Sequence, residues 1–246
     1  MKIGKLLKRL RSRWIYGRNL GEFRRQLRAF DERWPVRRRP CLDDRFRESG
    51  TASGHYFHQD LLVAQKVFGA NPAKHVDIGS SIGGLVAHVA SFRPIEVFDI
   101  RPSSINVPNV RFRQADIMDN NLGLDEYCDS LSCLHAIEHF GLGRYGDPVR
   151  VAGHRLAFHN LTRILETGGT LYLSTPIGPM RVLFDAHRVF PVRYLVEMVG
   201  VAFDTVSFSY VNDRGELARD ARLSDRDVDA NFGCRYGCGI FELRKR

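Results

Sequence analysis

Apolar positions change their period several times along the chain, and the changes mark its elements. From Tyr56 onward, stretches of helical spacing alternate with short apolar runs closed by polar turn residues, the pattern of a parallel sheet joined by crossover helices. Helices are predicted over Phe57–Phe68, Gly84–Ser91, Pro148–Leu165 and Pro191–Val199. Strands are predicted over His75–Ile78, Ile95–Ile100, Val110–Gln114, Asp129–Leu134 and Thr170–Ser174, with a closing pair at Asp204–Tyr210 and Cys238–Arg244. No run approaches the ~20 apolar residues of a membrane-spanning helix, and no internal repeat is found.

The first 40 residues follow another rule. Ile3, Leu6, Leu7, Leu10, Trp14 and Ile15 recur at helical spacing among lysines and arginines, and a second stretch, Leu20 to Phe30, repeats the pattern with Phe23, Leu27 and Phe30 before Pro35. This predicts a basic amphipathic helical extension, residues 1–50, ahead of a main domain over 51–246. Residues 1–40 hold 14 Lys and Arg against three acids, a net of +11, whereas the whole chain carries +9, leaving the rest at −2. Basicity therefore belongs to the extension, and the main domain has no electrostatic footprint for nucleic acid. The extension itself has three open readings: packing on the main domain, contact with an anionic membrane surface, or contact with RNA.

Length and composition suit one α/β domain with room for a full core: 246 residues, 43% hydrophobic and 26% charged. Five cysteines, with no CxxC pair, argue against a disulfide framework and a zinc ribbon and fit a reducing cytoplasm. Cys234 and Cys238 stand four apart without a second ligand pair, so no metal site is expected.

Chemistry gathers at the predicted carboxyl ends of the strands, where open α/β sheets bind ligands. The first reads HVDIGSSIGG, with Asp77 closing the strand and Gly79, Gly83 and Gly84 turning into a helix. Ser81 stands where a dinucleotide fingerprint has its second glycine, which disfavours a pyrophosphate. A carboxylate there suits a cationic ligand such as S-adenosylmethionine, whose amino group and sulfonium are both positive. EVFDIRP places Asp99 at the end of the second strand, 22 residues after Asp77, in position for ribose hydroxyls. QADIMD ends the third with Asp116 and Ile117, an acceptor for an adenine amine beside an apolar wall.

Together with YCDSLSCLHAIEHFG and RILETGGTLYLSTP, these segments resemble class I S-adenosylmethionine-dependent methyltransferases over residues 55 to 245. The resemblance implies a Rossmann-like, mostly parallel seven-stranded sheet with helices on both faces and an antiparallel last strand. It assigns Asp77, Gly79, Ser81 and Gly83 to the methionine loop, Asp99 to the ribose, Asp116 and Ile117 to adenine, and puts Cys133 to His135 beside the sulfonium. SLSCLHAIEHFGLGRYGDP most resembles a branch found in nematodes and bacteria as a domain of unknown function, while AIEHF and RILETGG resemble sugar-pathway methyltransferases. No Asn-Pro-Pro-Tyr-type motif follows the fourth strand, so adenine methylation of nucleic acid is not expected.

Methyl transfer to a hydroxyl needs alignment and a proton acceptor. His139, just past the fourth strand, is the first candidate base and His135 the second. Arg144, Tyr145 and Asp147 in the loop GLGRYGDP, and His187 with Arg188 further on, are candidate substrate contacts, each equally readable as loop or ion-pair structure. The expected activity is methyl transfer to a small molecule, sugar or lipid-linked glycan, in the cytoplasm or at the inner face of its membrane. A noncatalytic cofactor-binding scaffold for surface-polysaccharide synthesis stands as the alternative.

Overall fold

The computed structural model describes residues 2–30, 33–47, 49–50 and 52–246 and divides into two compact units, Met1–Thr51 and Ala52–Arg246. In the first unit, helix α1 (Lys2–Ala29) runs without a break through Gly17 and Gly21, where the sequence suggested two stretches. At 3.6 residues per turn, Leu6, Leu7, Leu10 and Trp14 fall on a stripe roughly 120° around the helix from Leu20, Phe23 and Leu27. Each half is amphipathic, but the whole helix has no single apolar face. Leu6, Leu7, Leu10, Trp14 and Phe23 are all exposed. Ile3 lies outside the residues whose side chains are described.

The second unit begins with α2 (His55–Ala70), whose Leu62, Val63 and Val67 are buried at helical spacing. Next come β1 (His75–Ile78), α3 (Ala87–Ala90), β2 (Ile95–Asp99), β3 (Val110–Gln114) and β4 (Cys128–Leu134). Then follow α4 (Gly153–Ile164), β5 (Leu165–Ile177), a hairpin of β6 (Arg181–Leu183) and β7 (His187–Val189), and α5 (Val192–Val199). The chain ends with β8 (Phe203–Val211), β9 (Leu217–Ala218), α6 (Asp225–Asp229) and β10 (Gly237–Lys245).

The sheet runs β3-β2-β1-β4-β5-β10-β8-β9. The first five of these strands are parallel, and β10 is antiparallel to both β5 and β8. All seven expected strands are present, with the two-residue β9 added antiparallel at the edge. Side chains alternate between two cores, as a period of two requires. Val76, Ile78, Leu131, Leu171 and Phe241 pack with Leu161 of α4 and Leu195 of α5. Val97, Tyr172 and Ile240 meet Leu62 and Val67 of α2 and Val89 of α3 on the other face.

Three elements differ from expectation near the strand ends. The helix predicted from Gly84 is a wide turn over Ile82–Val86 followed by the short α3, because Gly84 takes a non-helical backbone (φ −105°, ψ −122°). The helix predicted from Pro148 starts at Gly153, since Gly141, Gly143 and Gly146 all adopt positive φ and hold the preceding segment as a loop. Gly153 packs its backbone against Phe140 and Gly141 so closely that a Cβ would overlap them. The β6–β7 hairpin had no counterpart in the sequence reading.

Candidate active site

A cleft opens at the carboxyl ends of β1, β2 and β4. One half is largely apolar, walled by Ile78, Phe98, Ile117 and Phe140, and Asp99 and Asp116 also line it. The other half is polar and includes Gln59, Asp60, Ser80 and Ser81. Gly79, Arg101, His135, His139 and Tyr145 line both halves. Gly79 has φ +75°, and a Cβ there would stand 3.0 Å from that of Ala136. Only glycine lets the two strand ends come this close.

Asp77 is fully buried and turned inward. Its carboxylate accepts hydrogen bonds from Ser132 Oγ (2.5 Å), Ser80 Oγ (3.0 Å) and Ser80 N (3.2 Å). Burial pushes its pKa up to about 6 in spite of these donors. Behind it His75 Nδ1 lies 2.8 Å from Ser130 Oγ and Nε2 lies 3.2 Å from Ser132 Oγ. Burial and Arg93 depress that imidazole to about 3, so it stays neutral and relays hydrogen bonds from Ser130 to Asp77. Asp77 thus shapes the Ser80 turn and does not line the cleft, contrary to its expected contact with the methionine moiety.

The acid that does face the polar half is Asp60 of α2, which the sequence reading did not single out. Gln59 donates to it (3.2 Å) and also accepts from Ser174 Oγ (2.6 Å). Burial raises the Asp60 carboxyl above its ordinary range. A Cβ on Gly84 would overlap the Asp60 carboxylate, whereas one on Gly83 would meet open space. Gly84, not Gly83, is therefore the glycine this turn requires.

On the other side, Asp99 is held by Arg101, which donates Nε and Nη2 to the two carboxylate oxygens at 2.9 and 2.6 Å. The same guanidinium lies 4.4 Å from the centre of the Tyr145 ring. Asp116 keeps the third strand end in shape through Met118 N (2.9 Å), and Ile117 is buried against the cleft. Cys133 is fully buried among the α4 and α5 core residues and does not reach the cleft. Strand parity explains this, because Cys133 shares its face with Leu131.

Past β4, His135 adopts φ +49° and donates from Nδ1 to Glu138 Oε1 at 2.8 Å. Burial disfavours its charge, yet Cys238 and Glu138 hold the ring well above the ordinary histidine range. Glu138 is itself buried, which would raise it, but His135 keeps it below the usual carboxylate value. His139 places Nδ1 2.6 Å from the carbonyl of Ala186. A carbonyl only accepts, so Nδ1 carries the proton and the lone pair lies on Nε2, 3.8 Å from Glu138 Oε1.

The candidate substrate residues separate. Tyr145 lines both halves of the cleft and meets His139 edge-on at 5.5 Å. Arg144 is exposed and bonds the Ala186 carbonyl (3.0 Å). Asp147 touches the cleft, but its carboxylate ties down Gly141 N (2.8 Å), Gly143 N (3.2 Å) and Tyr145 N (3.2 Å), so it builds the loop. Arg188 is buried and clasps the carbonyls of Glu138 (3.2 Å), Phe140 (2.7 Å) and Val151 (3.3 Å), a structural role in place of the expected substrate contact. His187 stands 6.4 Å from the His139 ring, outside the cleft lining.

The family described as Caenorhabditis protein of unknown function, DUF268, matches residues 97–231, more than half the chain. No curated protein sequence matches it. Among solved structures, the chain is similar to the N-methyltransferase NodS of Bradyrhizobium japonicum WM9 in complex with S-adenosyl-L-homocysteine. That match has 14% identity and a TM-score of 0.51, covering 76% of this chain and 85% of that one. It is also similar to the 1,6-didemethyltoxoflavin-N1-methyltransferase of Burkholderia thailandensis (14%, TM-score 0.51, 76% and 78% covered). A third likeness is to the [4+2]-cyclase SpnF (15%, TM-score 0.54, 76% and 80% covered). The fold is that of class I S-adenosylmethionine-dependent methyltransferases, and the cyclase is a reminder that this fold carries more than one chemistry.

Proposed function

The chain belongs to the family of Caenorhabditis proteins of unknown function, DUF268, and we propose that it is an S-adenosylmethionine-dependent methyltransferase acting on a small molecule, sugar or lipid-linked glycan. The observation that carries this reading is the two-part cleft, with an apolar half between Asp99 and Asp116 and a polar half over Asp60 and Ser80, joined at Gly79. Its chemistry suits a nucleoside joined to a cationic amino acid. Ile117 and Phe98 would pack on the base, Asp116 would accept its amine, Asp99 the ribose hydroxyls, and Asp60 the ammonium. Bound there, the cofactor supplies a methyl group on a positively charged sulfur.

The chain's own part is alignment and proton removal. His139, its tautomer fixed by Ala186, takes the acceptor's proton at Nε2. Tyr145 lies edge-on to it and completes the wall on which an acceptor would rest. Calorimetric titration with S-adenosylmethionine and S-adenosylhomocysteine, with NAD as the control, tests the reading. Micromolar binding of the adenosyl ligands alone, weakened in Asp99→Ala, supports it; no binding by a folded sample removes it and leaves the noncatalytic scaffold.

The basic extension supports a place for this activity at an anionic membrane surface. Among the described residues no helix is long and apolar enough to cross a membrane. Lysines and arginines surround the exposed Leu6, Leu10 and Trp14, and Arg18 stacks on Trp14 at 5.3 Å. Flotation with anionic vesicles tests this: equal partitioning after removal of residues 1–40 would end it.

A further inference from the structure

Beside the cleft, on the α2 side of β10, three metal-ligating side chains from distant parts of the chain meet. His55 opens α2, His135 follows β4, and Cys238 lies near the start of β10. One donor atom from each lies within 4.8 Å of the others. We propose that His55, His135 and Cys238 bind a divalent ion of the zinc class, with Glu138 orienting His135.

The second observation that points to a ligand is the state of His135. Its Nδ1–H is given to Glu138 Oε1 at 2.8 Å, while its Nε2 is buried with no hydrogen-bond partner. The residue is only 9% exposed, so water does not relieve it. A buried ring nitrogen without a partner among the described residues is costly. A carboxylate on one ring nitrogen and an open position on the other is also the arrangement by which proteins orient a metal-binding histidine. Glu138 is itself fixed, by Thr175 Oγ1 at 3.3 Å.

The donor set suits the ion. Two imidazoles and a thiol match a borderline-soft metal such as zinc, and three protein donors leave a tetrahedral ion one position for water or an acceptor heteroatom. Tetrahedral coordination brings such donors to about 3.3–3.6 Å from one another, so the cluster has to contract by about 1 Å. His55 is the most exposed of the three: it is only partly buried, between the His135 ring at 5.2 Å and the Tyr236 ring at 5.4 Å. Loading displaces the proton of Cys238 Sγ and any proton on His135 Nε2 to solvent. Cys238 now donates weakly to Gln59 Oε1 at 3.6 Å, a contact easily released.

The cysteine pattern alone pointed away from a metal, because Cys234 and Cys238 lack a second pair. Cys238 instead finds its partners in two histidines that no sequence spacing connects. The site does not depend on the methyl-transfer reading, although His135 faces both halves of the cleft and would set the ion at its wall.

The test is titration of the full chain, stripped with a chelator, with zinc and with cobalt as the spectroscopic probe. One equivalent is expected to bind, with a thiolate-to-cobalt charge-transfer band and the intense ligand-field absorption of a tetrahedral ion. Cys238→Ser is expected to abolish the charge-transfer band and Cys234→Ser to leave it intact. His55→Gln, at the helix start and only partly buried, is expected to weaken zinc binding at least tenfold without unfolding the protein. Glu138→Gln is expected to weaken it by about 10–100-fold. Circular dichroism confirms that each variant is folded. Absence of one-equivalent binding by the folded wild type, or wild-type binding by folded Cys238→Ser and His55→Gln, overturns the proposal. Neither result bears on whether S-adenosylhomocysteine binds, which calorimetry reads separately.

Discussion

Arg101 holds both carboxylate oxygens of Asp99, the acid proposed to receive the ribose. The pair is half exposed on the arginine side, so its strength is screened and amounts to no more than about 1 kcal/mol. A ligand that uses Asp99 has to share or displace that guanidinium. Arg101→Ala is therefore expected to tighten S-adenosylhomocysteine binding about two- to fivefold by calorimetry. A tenfold weakening would mean that Arg101 itself contacts the ligand.

Asp77 makes a pH prediction whose sign follows from its burial. Its folded-state value of about 6 lies above the ordinary 3.8. The folded protein therefore holds this proton more tightly than the unfolded chain, and the stability it brings is complete below about pH 4 and lost as pH rises through about 6. The loss is on the order of 3 kcal/mol. Asp60 faces the same turn with a carboxyl shifted in the same direction. Urea unfolding of wild type and Asp77→Asn between pH 4 and 7 isolates the Asp77 part: the difference between the two curves should slope across that window. Parallel curves would show that Asp77 is ionised in the folded state throughout.

How much of this could be read without a structure depends on what each residue's signal was. The strands His75–Ile78 and Val110–Gln114 have the predicted bounds, because the first is a short run closed by Lys74 and Gly79 and the second alternates Val110 and Phe112 with Arg111 and Arg113. The β6–β7 hairpin was illegible, since Arg181–Leu183 is too short for a period and its turn holds no glycine. Asp60 and Gln59 read as the polar side of an amphipathic helix, and only the packing of α2 against Gly84 and Ser174 brings them to the cleft. For Arg188 and Asp147 the sequence left two readings open, substrate contact or local structure, for the opposite reason. A clasp on buried carbonyls and a substrate contact call for the same side chains, and burial alone tells them apart.

That distinction is testable at Arg188. Removing a buried guanidinium takes its donors from the carbonyls of Phe140 and Val151, while that of Glu138 keeps the Arg188 N–H at 3.1 Å, so Arg188→Met is expected to cost about 2–4 kcal/mol of stability. Thermal or urea unfolding measures it. Wild-type stability with a selective rise in KM would return Arg188 to the acceptor site.

The two glycines of the first turn offer a contrast in one experiment. Gly84→Ala drives a methyl into the Asp60 carboxylate and is expected to destabilise by about 1–3 kcal/mol and to weaken adenosyl-ligand binding. Gly83→Ala meets open space at an ordinary backbone angle and should stay within about 0.5 kcal/mol of wild type. Reversed effects would mean that the turn rearranges when ligand binds.

His139 carries the catalytic part of the reading, and the variant that isolates it is His139→Asn. The asparagine amide keeps a donor for the Ala186 carbonyl, which His139 Nδ1 now approaches at 2.6 Å, while the basic Nε2 is lost. Cofactor binding should therefore remain within about twofold of wild type, because the polar contacts proposed for the cofactor come from Asp60, Asp99 and Asp116 and not from His139. Methyl transfer to a hydroxyl acceptor should fall by about 10²–10⁴-fold, the usual contribution of a positioned base. Release of S-adenosylhomocysteine in the presence of candidate sugars, lipid-linked glycans and small hydroxylated acceptors is the measurement. An acceptor that gives wild-type turnover with the asparagine variant would show that the attacking atom loses its proton elsewhere, or carries none to lose.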